Sequence, residues 1–175
     1  DLRQFIGARL AKDNLVVGVA GDVTGEQLGV LLDRAFGDLP ATSAAVDLPQ
    51  AAPAADGTIV VRKDVPQSHV LFGEEGLRRD DPDFYAGYVA NHILGGGGFG
   101  SRLTDEVREK RGLAYSVYSY LYPMDHAPLW LGGVGTANAT VNESIRLVRA
   151  EVARMAEGDI DAATLADAKT YITGS

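Results

Sequence analysis

Gly95, Gly96, Gly97 and Gly98 form one unbroken run, followed by Phe99-Gly100-Ser101-Arg102-Leu103. Four glycines inside an ordered domain sacrifice chain entropy unless the backbone itself must be approached closely, so this segment is the first candidate for a contact site. Formally, Gly95, Gly97 and Gly100 satisfy the dinucleotide fingerprint G-x-G-x-x-G. That fingerprint has mechanical meaning only after a strand and before a helix, and here a helical pattern precedes it. The phosphate-loop alternative fails because no Gly-Lys-Ser/Thr ending follows. The competing structural reading is a plain helix-to-helix connection, in which glycines cap one helix and let the next pack closely.

Other reactive groups are sparse. His69, His92 and His126 are widely separated, and none has Glu three and His four residues later, so no inverted H-x-x-E-H zinc helix is present. Each reads as a core or surface histidine. The absence of cysteine excludes disulfides, thiolate metal sites and thiol nucleophiles together. No G-x-S-x-G elbow occurs, and Glu74-Glu75 and Asp80-Asp81 read as solvated loop and cap charges.

Downstream of the glycines, Glu106-Val107-Arg108-Glu109-Lys110-Arg111-Gly112-Leu113-Ala114-Tyr115-Ser116-Val117 resembles the second-type, "inactive" domain of M16 peptidases, the insulinase and mitochondrial processing peptidase class. Asn14 to Pro40 is similar to that family's strand, Gly-Asp turn and long helix ending in Leu-Pro, so the resemblance extends over essentially the whole chain. Its arginine followed seven positions later by a tyrosine falls on Arg108 and Tyr115. The resemblance implies that this pair works opposite a zinc held by another domain or subunit. The tyrosine hydroxyl would aid the tetrahedral intermediate and the arginine would hold substrate carbonyls. It likewise implies substrate contact at Gly95, Gly96, Gly97, Gly98, Phe99 and Ser101. No metal is expected on this chain. The implied partners are a zinc-bearing M16 domain or subunit and an unstructured peptide, and the runner-up is a non-catalytic assembly partner of an M16-type complex.

The side chains suit those roles. A phenol is a neutral donor near neutrality and can meet a carbonyl oxygen as it gains negative charge. A guanidinium stays charged and offers several donors in a fixed fork. Period-two alternation puts Tyr115 with Val117 and Ser119 on one strand face and Tyr118, Tyr120 and Tyr122 on the other, where the tyrosines read as a stacked ladder.

These residues need a scaffold, and 175 residues with 46% hydrophobic content predict one domain with a real core. A net charge of -8 argues against nucleic acid or an anionic membrane as partner. No stretch approaches the roughly 20 apolar residues of a membrane span. The chain starts without Met and stops within a helical pattern, so it reads as a piece of a longer peptidase chain. Its compartment, bacterial periplasm or cytoplasm, is left open.

Along the chain, Leu2, Phe5, Ile6 and Leu10 predict a helix and Leu15 to Ala20 a strand. Thr24 and Gln27 predict a capping box for a helix ending at a left-handed Gly37. Pro40 to Gly57 reads as an exposed connection. Strands are expected at Thr58 to Arg62, Ser68 to Phe72, Leu113 to Tyr122 and Leu129 to Thr136. A buried helix should run from Asp81-Pro82 through Ile93, and a second capping box at Thr140 and Glu143 should open the helix through Met155. A last helix starts near Asp161. The order predicts an α+β fold, a two-layer sandwich with a mostly antiparallel sheet and helices packed on one face. The resemblance implies the LuxS/MPP-like metallohydrolase type of that sandwich.

Overall fold

The structure is a computed structural model that describes residues 1–44, 48–49, 51 and 57–174. It divides into two compact units, Asp1–Leu48 and Pro49–Ser175. Half of the connection expected from Pro40 to Gly57 lies outside the described residues.

In the first unit, α1 (Leu2–Arg9) is capped by Asp1, whose carboxylate accepts from the Arg3 amide at 3.1 Å. Helix α2 (Gly25–Phe36) opens with the expected capping box. The Gln27 amide donates to Thr24 Oγ1 at 3.3 Å and the Thr24 amide to Gln27 Oε1 at 3.0 Å. Gly37 differs from expectation: it stays right-handed, and the Lys12 ammonium donates to its carbonyl at 2.7 Å. Leu15 to Ala20 forms no ladder. A strand needs a pairing partner, the described residues of this unit offer none, and Val16 is 94% exposed.

The second unit carries the sheet. Strands β1 (Gln67–Glu75), β2 (Ala114–Tyr122) and β3 (Leu129–Ala137) pair antiparallel in the order β1-β3-β2. Val134 faces Val70 on one side and Val117 on the other, giving an inward row. Against that row pack Leu94, Leu103, Val107, Leu147 and Val148, which is the core. Helices α3 (Phe84–Asn91), α4 (Val141–Ala156) and α5 (Ala162–Thr173) complete the α+β arrangement. The other sheet face is open: Leu71 is exposed, and Tyr118, Tyr120 and Tyr122 form the expected ladder, with the first two rings 5.7 Å apart and nearly parallel.

Three local expectations fail for identifiable reasons. Thr58 to Arg62 has no ladder partner among the described residues and remains largely exposed at Ile59, Val60 and Val61. Helix α3 is only partly buried, with Tyr85 and Tyr88 reaching outward. Thr140 does not cap α4, because its hydroxyl is engaged with the Ala137 carbonyl at 3.1 Å and Thr136 Oγ1 at 2.8 Å.

Candidate functional site

At the end of α3 the helix widens into a π turn, His92–Gly96, closed by the Gly97 amide donating to the His92 carbonyl at 2.8 Å. Such widened turns are rare and recur at functional sites. Here they also bring the glycine backbone onto its neighbours. A Cβ on Gly95 would stand 2.5 Å from Ser119 Oγ and 2.6 Å from the Ser119 amide nitrogen. One on Gly96 would stand 2.8 Å from Asn91 Nδ2, and one on Gly97 2.8 Å from the His92 carbonyl oxygen. The group that approaches these three glycines closely is therefore the protein's own chain. Gly98 is different: it is left-handed at φ +60° with open space beyond it.

Two polar residues lock this packing. Buried Asn91 donates from Nδ2 to the Ser119 carbonyl at 3.2 Å, and its Oδ1 accepts from Ser119 Oγ at 2.8 Å and Trp130 Nε1 at 3.0 Å. Ser101 is fully buried, with Oγ donating to the Gly98 carbonyl at 2.8 Å and 3.0 Å from Thr104 Oγ1. Gly95 and Ser101 thus face inward, whereas Phe99, on the short Gly98–Gly100 turn, is 73% exposed.

Next, Arg102 anchors the following segment. Its Nε donates to the buried carboxylate of Glu151 at 2.9 Å, and its Nη1 and Nη2 reach the Asp159 carbonyl at 2.6 Å and carboxylate at 3.2 Å. Arg154 binds the same two acids from the other side, at 2.9 Å to Glu151 and 2.7 Å to Asp159. The hydrogen bonds from Arg154 and then Arg102 hold the Asp159 carboxyl below its usual range. A lone arginine in the sequence gives no hint of this clasp, and a glutamate in the apolar stripe of α4 is its only signal.

A second π turn, Thr104–Glu109, carries Arg108. Leu103 and Val107 are wholly buried on its inner side. Glu106 is paired with Lys110 and Arg111, whose hydrogen bonds lower its pKa, Lys110 first. The turn ends in a left-handed Gly112 at φ +61°. The Gly112 amide reaches the Arg108 carbonyl at 2.8 Å and the Leu113 amide reaches the Val107 carbonyl at 3.0 Å, a glycine stop of the Schellman kind.

Strand β2 then begins with a bulge. Ala114 pairs with Thr136 and Ser116 with Gly135, so Tyr115 is the extra residue without a partner across the ladder. This corrects the alternation read from the sequence: Val117 and Ser119 are buried, while Tyr115 is 81% exposed. The displaced tyrosine lies beside Arg108, whose guanidinium carbon is 4.9 Å from the Phe99 ring centroid and 6.0 Å from that of Tyr115. Both are within cation–π range. Arg108 forms an ion pair with Glu109, 3.4 Å from Nε to Oε1, between two partly exposed side chains. Among the described residues, no acceptor takes a hydrogen bond from its Nη groups. Phe99, Arg108 and Tyr115 therefore form one cluster of two exposed aromatic rings, one phenol donor and a partly exposed guanidinium.

A family model described as the peptidase M16 inactive domain matches residues 1–172. The chain belongs to the peptidase M16 family. Among relatives, an uncharacterized zinc protease of Streptomyces coelicolor is 34% identical over 89% of this chain and 35% of its own length. The non-peptidase homolog YmxG of Helicobacter pylori is 32% identical over 100% of this chain and 40% of its own. The crystal structure of a peptidase M16 inactive domain from Pseudomonas fluorescens superposes with a TM-score of 0.91 at 31% identity, covering 99% of this chain and 42% of that one. The chain thus spans less than half the length of the M16 relatives it matches.

Nothing among the described residues of this M16 domain fits a zinc site. No three His, Cys, Asp or Glu side chains come together. His69 lies on β1, His92 stacks on Tyr171 at 5.1 Å, and His126 lies between β2 and β3. No described helix is long and apolar enough to cross a membrane.

Proposed function

We propose that this domain is the non-metal, substrate-binding and transition-state-assisting part of a zinc-dependent M16 peptidase. The observation that carries the reading is the convergence of Arg108 and Tyr115 on one exposed cluster, through a widened helical turn and a bulge. Arg108 would hold backbone carbonyls of an extended peptide with its unspent Nη donors. Tyr115 would donate its hydroxyl to the scissile carbonyl oxygen as that oxygen becomes negative. A preorganised donor of this kind acts mainly on the transition state. Phe99 and Gly98 border the same cluster and would contact substrate, whereas Gly95 and Ser101 face inward and pack on the protein's own chain. The zinc would belong to another domain or subunit, because the residues here do not fit it.

The test is peptide cleavage by the parent protein with its zinc-bearing half. Tyr115→Phe should mainly lower kcat, by a factor on the order of 10 to 1,000. Arg108→Ala should lower kcat/KM. Unchanged turnover in both variants would sink the proposal.

A second reading, a non-catalytic assembly partner, is favoured by one observation: a relative matched over the whole chain is named a non-peptidase homolog. It predicts that the parent complex cleaves nothing while Arg108→Ala leaves assembly intact.

A further inference from the structure

Phe99 is an exposed aromatic ring on a short turn that is fixed from inside. The turn is held by the Ser101 hydroxyl bonded to the Gly98 carbonyl and by the packing of Gly95 on Ser119. The ring is absent from the core, and its described cation contact is the Arg108 guanidinium. A phenylalanine left 73% exposed forgoes most of the burial energy of its ring. Placed by those contacts beside an arginine whose Nη groups have no protein acceptor among the described residues, such a ring resembles the aromatic anchors that concentrate binding energy at interfaces.

The geometry also limits what can bind. In an extended peptide, neighbouring residues lie about 3.3 Å apart along the chain, so a carbonyl held by Arg108 brings a flanking side chain over Phe99 or over Tyr115. Glu109 sits at the Nε edge of Arg108 and disfavours an acidic side chain there. We infer that Phe99 is a specificity-determining residue, reading an apolar or aromatic side chain of the peptide next to the carbonyl bound by Arg108. This inference rests on the peptide-contact part of the proposed function and names the side-chain class that the contact selects.

The probe is a set of short, fluorescein-labelled, unstructured peptides with Ala, Leu, Phe or Asp walked through each position, titrated by anisotropy against the full-length parent protein. Binding requires no turnover, so the measurement is independent of the catalytic test. The wild type should bind Leu or Phe at one position about tenfold more tightly than Ala, the scale of a modest apolar pocket. Phe99→Ala should shrink that ratio to about twofold, and Phe99→Leu should keep the preference for Leu. Arg108→Ala should weaken all peptides by a similar factor and preserve the ratio. Because each ratio is taken within one protein, the active fraction cancels. An unchanged ratio in Phe99→Ala, a preference for Asp, no preference at any position, or no binding at all would each overturn the inference. Selective binding that depends on Phe99, combined with turnover indifferent to Tyr115→Phe and Arg108→Ala, would instead remove the catalytic proposal alone.

Discussion

Along residues 91–117, the inner side and the outer side of one segment are built on opposite rules. Inside, every buried side-chain polar atom among the described residues has a partner: Asn91 serves Ser119 and Trp130, Ser101 closes the glycine turn, and Arg102 joins Glu151 to Asp159. Outside, Phe99 and Tyr115 expose large rings and Arg108 keeps most of its donors unused. The inner side is complete without a ligand and the outer side is not. Completeness marks residues that hold the fold, and exposed rings beside a cation with few protein partners mark residues available for function.

That contrast can be broken first at its strongest point. Glu151→Ala leaves Arg102 without its buried partner, and urea unfolding should show a loss of about 3 kcal/mol. Gly95→Ala forces a Cβ against the Ser119 backbone, and thermal unfolding should reveal a loss of about 1–3 kcal/mol. A smaller effect should follow acidification. Glu106 and Asp159 have pKa values lowered by their cationic partners, so their contribution is present above the ordinary carboxylate range and is lost as pH falls through the lowered values. Circular dichroism during acid titration should show that loss, and Glu106→Gln should blunt it. On the outer side, Arg108→Ala, Phe99→Ala and Tyr115→Phe should leave stability within about 0.5 kcal/mol in the same unfolding assays. A large loss in any of the three would place that residue on the structural side instead.

The family resemblance disclosed the Arg108 and Tyr115 pair, and the sequence pattern disclosed the α+β class and the three strands that pair. It did so because apolar periodicity and turn residues report local geometry directly. It disclosed less where pairing decides the outcome. Leu15 to Ala20 and Thr58 to Arg62 have the composition of strands, yet composition cannot supply the neighbour that a ladder requires. The packing role of Gly95, Gly96 and Gly97 was hidden for a similar reason: only the register of β2 brings Ser119 beneath the glycine run. Nor does Ala-Tyr-Ser-Val carry any mark of a bulge, since those four residues alternate as a regular strand would.

The bulge at Tyr115 behaves like an inserted letter that is not read by the sheet's two-residue code. Ala114 on one side and Val117 on the other keep their inward settings whatever stands between Ala114 and Ser116. The identity of that position is consequently uncoupled from the sheet, and its side chain can be exchanged without rewriting the strand that follows. Removing the position altogether would be another matter. Deleting Tyr115 would merge Ala114 and Ser116 into one continuous ladder, abolishing the outward phenol while leaving the inward sequence in phase.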